Sequence, residues 1–229
     1  MTLENALAKV TISIDETYFS EENTPGKYDK VFNPNDFKRS ELSTVFSVQV
    51  DLRNRQYSVA LIGDHNCSEE NCAVLENNVL TVLQGWDVLQ IDLFCAQRIK
   101  CCSLDSMAPN IGIYRVNDGY LIHGEMDIMM LDDSLHKLWD FSGYDIFVSI
   151  SGKKEFEIKP DRICLYDFCD NYYEVDFQGN VLSSPNNFST APKADDEDYI
   201  QYPPEAKSPC VFCSGNWIPD PDDENSKLE

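Results

Sequence analysis

Two cysteines near the C-terminus have the spacing of metal-binding and redox motifs. Cys210 and Cys213 stand two residues apart in CVFC, an interval that lets both sulfur atoms face one point. A structural zinc ion needs four ligands, and Cys67 and Cys72 in the loop GDHNCSEENC could supply the other two. The sequence favours ordinary thiols, since it has no second CxxC pair and no βαβ pattern surrounds the first.

A second pair of cysteines could supply a nucleophile. Cys101 and Cys102 are neighbours, and the basic residues beside them would favour a thiolate. Nucleophilic catalysis also needs a positioned base, and nothing in the sequence assigns His65, His123 or His136 to that role. We therefore interpret the two cysteines as ordinary surface or core residues, and we predict no catalytic residue.

Pairs of carboxylates could serve a hydrolase that acts on sugars. Glu125 with Asp127 and Asp145 with Asp167 are two such pairs. The chain has 40 acidic residues, so pairs of this kind arise at many places and the pattern singles none out. Glu125 and Asp127 alternate with apolar residues, so we expect both on the solvent face of a strand.

Motifs of the common cofactor sites do not occur in the sequence. It contains no phosphate-binding glycine loop, nucleophile elbow, zinc-protease helix or kinase signature. We therefore predict no cofactor, and we favour a non-catalytic protein over an enzyme.

The segment LWDFSGYDIF concentrates aromatic residues just before an acidic residue, Asp145. Alternation places Trp139 and Phe141 on one face of a strand. If that face is exposed, these side chains could anchor a protein partner, because aromatic anchors contribute much of the binding energy of interfaces. If a second layer covers the face, they belong to the core, which is the interpretation that the sequence favours.

The composition changes after about residue 184. Prolines, serines and clustered acids dominate, and from residue 191 onward ten acidic residues and three lysines give a local net charge of −7. Such a segment cannot build its own core, so we predict a body at 1–184 and a tail or docked strap at 185–229. The candidates for contact with a partner in this segment are Asp195, Asp196, Asp198 and Trp217.

Apolar and polar residues alternate along most of the first 184 residues, which is typical of strands with one buried face. The alternation predicts hairpins at 44–62 and 162–181, a tight turn at 117–119 and a further strand at 146–150. We therefore predict an all-β fold, an antiparallel meander of hairpins arranged as a sandwich or as part of a propeller, with an acidic C-terminal tail. Two sub-sheets within one body are an alternative.

The segment 68–83 has two interpretations. Its apolar residues at 72, 75, 79 and 82 to 83 suit an amphipathic helix. Asn77 and Asn78 also suit a hairpin turn, and valine and leucine lie on both sides of them. The second interpretation, a pair of strands, is favoured.

A faint internal repeat links two of the predicted hairpins. MLDDSLHKLW (130–139) and EVDFQGNVLS (174–183) align with Asp132 over Asp176 and Leu138 over Leu182, a spacing of 44 residues. In this pattern the hairpins of 119–183 resemble the blade repeats of β-propellers. The resemblance implies units of four strands, since propeller blades repeat at about 40 to 45 residues.

The charge of the chain bounds its partners and location. A formal charge of −22 repels phosphate backbones, so we expect no nucleic-acid partner. No run approaches the roughly 18 apolar residues of a membrane span, and we expect no membrane association and a cytoplasmic protein with mostly reduced thiols. The oligomeric state is not predictable from these features.

Three functional hypotheses remain. The first is a non-catalytic interaction protein, in concrete form an acidic immunity-type inhibitor whose field steers it toward a basic protein partner. The second is a hydrolase that acts on sugars or peptides from a cleft in the β-fold. The third is a repeat-like scaffold that functions in an oligomer through its strand edges.

Overall fold

The computed structural model describes residues 1–19, 26–37, 43–64, 68–106, 108–149 and 151–185, and the backbone of 210–213 and 216–219. The chain divides into two compact units, residues 1–188 and 189–229. All regular elements of the described residues are β-strands, which confirms the all-β prediction. In these ranges the structure contains no helix with the length and apolarity to cross a membrane.

The first unit contains four sheets that follow one another along the chain. Sheet 1 comprises β1 (Thr2–Glu4), β2 (Ala8–Ile14), β3 (Lys30–Phe32), β4 (Ser43–Leu52) and β5 (Arg55–Asp64). Sheet 2 comprises β6 (Ala73–Glu76), β7 (Val79–Gln84), β8 (Asp87–Asp92) and β9 (Gln97–Ser103). Sheet 3 comprises β10 (Asn110–Val116), β11 (Gly119–Gly124), β12 (Asp127–Asp132) and β13 (Lys137–Ser142). Sheet 4 comprises β14 (Phe156–Ile158), β15 (Arg162–Tyr166), β16 (Tyr172–Asp176) and β17 (Val181–Ser183).

Each sheet follows the plan of a propeller blade. In sheets 2, 3 and 4 the spatial order of the four antiparallel strands equals their chain order. Sheet 1 uses β1, β2, β4 and β5 in the same way, and β3 is added in parallel beside β5 at the edge. Four-stranded antiparallel units of this kind build β-propellers. The topology confirms the propeller-like resemblance of residues 119–183 and extends it to the sheets before them.

Turn residues place the hairpins where the sequence predicts them. β4 and β5 form one hairpin, with Leu52 opposite Arg55. Asn117 adopts a φ of 49° between β10 and β11, and Asn77 a φ of 50° between β6 and β7. Asparagine tolerates this left-handed backbone better than most residues. The segment 68–83 therefore contains a hairpin rather than a helix.

The repeat of an aspartate after a strand also has a structural basis. Asp132 is the last residue of β12, and its Oδ1 accepts a hydrogen bond from the His136 amide at 2.8 Å. Asp176 accepts from the Asn180 amide at 2.8 Å in the equivalent turn of sheet 4. Asp92 occupies the same place in sheet 2, where no repeat was predicted. In each turn a carboxylate satisfies backbone amides that the strand ladder leaves unpaired.

The prediction of a strand at 146–150 is wrong for residues 146–149, which the structure describes. Ile146 and Val148 lie in an irregular connection between β13 and β14, and Ile150 is outside the described residues. Phe147 is completely buried, whereas Val148 is 37% exposed. The Phe147 amide donates to the Glu125 carbonyl at 2.6 Å. The connection is therefore hydrogen-bonded to the β11–β12 turn. This bond buries Phe147, whereas alternation predicts that Ile146 and Val148 are the buried residues.

Apolar layers join the successive sheets. One layer lies between sheets 1 and 2, a second between sheets 2 and 3, and a third between sheets 3 and 4. Because sheets 2 and 3 are covered on both faces, β7 and β11 are buried along almost their whole length. Among the described residues no apolar layer joins sheet 4 back to sheet 1. The four sheets of the first unit thus form an open arc.

Polar side chains fix the first two sheet contacts. Gln84 of sheet 2 donates from Nε2 to the Leu61 carbonyl of sheet 1 at 2.8 Å, and a Cβ at Gly63 would collide with its side chain. Tyr120 of sheet 3 contacts two groups of sheet 2, Thr81 Oγ1 at 3.1 Å and Glu76 Oε2 at 3.0 Å. These hydrogen bonds specify how each sheet is set against the next, because a displaced partner would leave buried polar atoms unpaired.

A tryptophan fixes the third contact. Trp139 of sheet 3 donates from Nε1 to the Phe177 carbonyl of sheet 4 at 3.2 Å. Its ring lies against Gly179, where a Cβ would sit 2.7 Å from Trp139 Cγ. Gly179 has a φ of 86°, so glycine is required there by both the backbone and the tryptophan.

The two outer faces of the arc differ in chemistry. On sheet 1 the apolar residues Val45, Ala60 and Ile62 are covered by aromatic side chains of the β2–β4 connection. Burial alone would raise the pKa of Asp15 in that connection, but hydrogen bonds from Lys27 and from other neighbours outweigh it and lower the pKa to about 2. The outer face of sheet 4 is polar, with groups that include Arg162, Cys164, Tyr166, Tyr172 and Glu174.

In the second unit the described backbone forms one antiparallel hairpin, β18 (Cys210–Cys213) and β19 (Asn216–Pro219). The side chains of Cys210, Cys213 and Trp217 lie outside the described residues, as do Asp195, Asp196 and Asp198. The division into a body at 1–184 and a tail at 185–229 therefore stays a prediction, as do the roles of these residues.

The fit between Trp139 and Gly179 can be tested by comparing two alanine variants. Gly179→Ala and Gly152→Ala both force alanine into a left-handed backbone, with φ values of 86° and 77°, at a cost of roughly 1–2 kcal/mol. Only Gly179→Ala also displaces a neighbour, since nothing lies within 4 Å of a Cβ at Gly152. We expect urea unfolding to show a loss about 1–3 kcal/mol larger for Gly179→Ala. Equal losses would mean that Trp139 does not dock on this turn.

Candidate interaction surface

The two aromatic candidates of the LWDFSGYDIF segment serve the fold. Phe141 is 7% exposed and packs between sheets 3 and 4, with its ring centroid 5.5 Å from that of Tyr173. Trp139 docks on sheet 4 as described above. Phe141 therefore belongs to the core, the interpretation that the sequence favours, and its buried ring is not available to a partner.

The acidic candidate of the same segment lies beside a turn of sheet 4. The Asp145 carboxylate Oδ2 is 3.4 Å from the thiol of Cys169 in the β15–β16 turn. This hydrogen bond, together with desolvation and the carboxylates nearby, raises the pKa of Cys169. Asp145 Oδ1 also accepts from the Ile146 amide at 2.8 Å, so its position is fixed from both sides.

Large apolar side chains are exposed around Asp145. Tyr144 is 55% exposed, Phe168 42%, Met126 39% and Val148 37%. We define the acidic–aromatic patch as these four residues with three neighbouring carboxylates: Met126, Tyr144, Val148, Phe168, Glu125, Asp145 and Asp170. Backbone bonds hold its three segments together, from Phe147 to the Glu125 carbonyl and from the Phe168 amide to the Ile146 carbonyl at 2.8 Å.

Asp167 explains why Phe168 points away from the core. Its carboxylate is completely buried and accepts from the Cys169 amide at 3.0 Å, the Asn171 amide at 2.9 Å and the Tyr173 hydroxyl at 2.8 Å. These bonds close a tight turn in which Phe168 is the tip. Burial, together with the hydrogen bond to Asp167, raises the pKa of Tyr173 well above its usual range. Asp167 is thus a structural acceptor, and it is not free to pair with Asp145 in hydrolysis.

The Tyr173 hydroxyl connects this turn to the rest of the patch. It donates to Asp167 and accepts from the Tyr144 amide at 3.0 Å. One buried hydroxyl therefore positions the backbone of both exposed aromatic residues, Tyr144 and Phe168. Such preorganisation lowers the entropy lost when a partner binds.

The end of the arc that carries the patch is rich in carboxylates. In an up-and-down sheet the middle turn and the links to neighbouring sheets lie at one end of the strands, which we call the connection end. The other two hairpin turns of each sheet lie at the opposite, turn end. The carboxylates at the connection end include Glu69, Glu70, Asp105, Glu125, Asp145, Glu155 and Asp170. Of the basic residues there, Lys153 lies 3.4 Å from Asp170 and Lys154 lies 3.5 Å from Glu157.

The first carboxylate pair named from the sequence, Glu125 with Asp127, is only partly exposed. Asp127 accepts from the Ser106 hydroxyl at 3.1 Å, and burial raises its pKa above the usual range. The expectation that both Glu125 and Asp127 lie on the solvent face of a strand is therefore corrected: Glu125 lies in the β11–β12 turn, Asp127 begins β12, and both residues are half-buried.

The cysteines named as nucleophiles lie on β9, at the edge of sheet 2. Burial raises the pKa of both Cys101 and Cys102, despite the basic residues beside them. A raised pKa disfavours the thiolate, which is the reactive form. These properties suit the ordinary thiols that the sequence favours.

The cysteine named as a zinc ligand is buried. Cys72 is 2% exposed, its sulfur lies 3.4 Å from the Met1 sulfur, and burial raises its pKa to about 11. Cys67 lies outside the described residues, as do the side chains of Cys210 and Cys213. Within the part of the chain that the structure describes, no group of three or more potential ligands is placed to hold a metal ion.

The histidines occupy separate environments. His136 lies in the β12–β13 turn, 3.3 Å from Asp132, and His65 is outside the described residues. His123 is 4% exposed on β11 and stacks on Phe156 with ring centroids 4.0 Å apart. Its Nε2 has no hydrogen-bond partner among the described residues.

No protein-family model matches the chain, and no curated protein does. Among solved structures it is similar to Kluyvelomyces marxianus Hsv2, with 9% identity, a TM-score of 0.37, and coverage of 61% of this chain and 44% of that one. It is similar to BamB from Moraxella catarrhalis, with 11% identity, a TM-score of 0.37, and coverage of 63% of this chain and 47% of BamB. It is also similar to Chaetomium thermophilum Raptor, with 10% identity, a TM-score of 0.42, and coverage of 70% and 16%.

Hsv2 and BamB are β-propeller-type proteins. The chain spans less than half the length of each of the three.

The burial of His123 makes stability depend on pH. Burial lowers its pKa from the ordinary 6.5 to about 4, so folding favours the neutral ring. The stability that the neutral His123 ring contributes is fully present above about pH 6.5, the pKa in the unfolded chain, and it is lost as the pH falls toward about 4, the pKa in the folded protein. Relative to His123→Phe, we expect wild type to lose about 2 kcal/mol of unfolding free energy between about pH 7.5 and about pH 5. Parallel pH profiles in urea unfolding would contradict this.

Proposed function

We propose that the chain is a non-catalytic interaction module that binds a basic protein partner through the acidic–aromatic patch. The observation that carries the proposal is the exposure of four large apolar side chains among three carboxylates, on turns that backbone hydrogen bonds join to one another. Within the general class, an immunity-type inhibitor of a basic effector is the concrete form that we propose.

The apolar part of the patch supports binding to a protein. Exposed apolar surface is stabilised when a partner removes it from water, by about 25 cal/mol per Å². Tyrosine and phenylalanine are effective anchors, since they offer a large contact area and few rotatable bonds. Tyr144 and Phe168 are more than one-third exposed, so both present apolar ring surface that a partner can cover.

The charges support a basic partner. Asp145 and Asp170 flank the aromatic residues, and the whole chain carries a formal charge of −22. A field of this sign accelerates encounter with a positively charged surface and repels acidic proteins. In the proposed mechanism the carboxylates pair with lysine and arginine around the partner's site, while the aromatic rings fill a pocket and occlude it.

Aromatic substitution tests the anchor role. In pull-downs from native lysate, wild type should recover a basic protein. The double variant Tyr144→Ala/Phe168→Ala should recover at least about tenfold less of that protein. The matched control is Leu138→Ala/Leu182→Ala, which removes side chains that are 59% and 50% exposed on the outer strands β13 and β17. Equal losses from both double variants, or none from the first, would refute the assignment of the patch.

Charge neutralisation tests the steering role. Asp145→Asn/Asp170→Asn should slow association with the recovered partner, and the difference from wild type should shrink as salt rises past about 0.15 M, where the screening length is roughly 8 Å. Association rates can be measured by surface plasmon resonance. A partner that is acidic or neutral, bound at a rate independent of salt, would argue against the proposal.

A further inference from the structure

A cavity of about 340 Å³ opens at the turn end of sheets 1 and 2. Three turns that belong to the two sheets build it. Its lining residues are Leu7 from the β1–β2 turn, Leu52, Arg53, Asn54 and Arg55 at the β4–β5 turn, and Phe94 from the β8–β9 turn. It lies at the opposite end of the strands from the acidic–aromatic patch.

The lining contains two arginines and no carboxylate. Arg55 is held in place, because its guanidinium carbon lies 4.5 Å from the Tyr57 ring centroid and its Nη2 donates to the Phe94 carbonyl at 3.4 Å. Arg53 has no hydrogen bond or ion pair with any residue that the structure describes. One guanidinium is thus preorganised, and the other is available to a ligand.

The carboxylates near the cavity include Asp29, whose Oδ2 accepts from the Ser58 amide at 2.7 Å; this bond and, to a smaller extent, the charge of Arg55 lower the pKa of Asp29. Asp92 Oδ1 accepts from the Phe94 amide at 2.7 Å and the Cys95 amide at 3.1 Å. Asp51 faces Lys9 across the β2–β4 ladder. Two arginines without a carboxylate partner in the cavity are unusual in a chain where acidic residues outnumber basic ones by 40 to 18. The positive charge of Arg53 remains available at this end of the arc, whereas Asp29 lies close enough to Arg55 to share its charge.

Apolar side chains stand beside these charges. Phe94 is 53% exposed and Leu7 is 38% exposed. Guanidinium groups bind carboxylates through paired hydrogen bonds, and leucine and phenylalanine bind apolar side chains. A ligand that satisfies both halves of the cavity carries a carboxylate and an apolar group close together.

We propose that this cavity binds an acidic segment of a partner protein, in which aspartate or glutamate stands next to leucine or phenylalanine. Arg53 and Arg55 hold the carboxylate, while Leu7 and Phe94 receive the apolar side chain. This site is independent of the acidic–aromatic patch. With both sites occupied, the module joins a basic partner at one end of its strands to an acidic segment at the other.

Fluorescence anisotropy of a labelled peptide tests the proposal on the full chain. The probe has the core Asp-Asp-Leu-Phe-Asp, and two comparison peptides replace either the acids by lysine or the apolar pair by glycine. Wild type should bind the probe saturably. It should bind each comparison peptide at least about tenfold more weakly. Arg53→Gln should raise the Kd of the probe about tenfold, and Arg53→Gln/Arg55→Gln should raise it further.

Control variants separate this site from net charge and from the patch. Lys154→Gln removes the same charge at the connection end, and Tyr144→Ala/Phe168→Ala alters the patch; both should leave the Kd within about twofold. Arg53→Gln should keep the wild-type melting temperature, since Arg53 makes no described polar contact.

Three results would overturn the proposal: no saturable binding of the probe by wild type, equal binding by Arg53→Gln, or equal affinity for the glycine peptide. Displacement of the probe by millimolar inorganic phosphate alone would indicate a simple anion site instead.

Discussion

Sheets 2 and 3 bury both of their faces, and this double burial limits where the molecule can bind anything. A side chain on β7 or β11 contacts another sheet whichever way it points, so polar residues there must match a specific neighbour. Gln84 of β7 and Tyr120 of β11 do so by hydrogen bonds to the neighbouring sheets, and Trp139 of β13 forms the equivalent bond to sheet 4. On these two sheets, surfaces for partners remain mainly at the ends of the strands, where the turns and connections emerge, and both candidate sites lie at strand ends.

Much of this fold follows from the sequence, because alternation and turn residues are local signals. The hairpins at 44–62 and 162–181 and the turn at Asn117 depend only on neighbouring residues, and they form where predicted. The third copy of the aspartate turn, at Asp92, was missed because LFCA follows it and lacks ordinary turn residues. Leu93 in that turn is completely buried, so the segment fills the core as well as reversing the chain.

The candidate surface is less predictable, because exposure there depends on distant partners. The aromatic segment 138–147 and the acidic character of Asp145 are visible in the sequence, but the burial of Phe141 depends on sheet 4. Met126, Val148 and Phe168 look like ordinary core residues in the sequence. Their exposure results from hydrogen bonds between three separate segments, and no local pattern encodes those pairings.

The polar outer face of sheet 4 has a consequence for stacking on that face. Arg162 Nη1 donates to Glu174 Oε2 at 2.8 Å, and the Tyr172 hydroxyl lies 2.7 Å from Glu174 Oε1. A fifth layer stacked on this face would have to strip water from an ionised pair, which costs several kcal/mol per ion. Chance face-to-face stacking of another copy on this face of sheet 4 is therefore disfavoured.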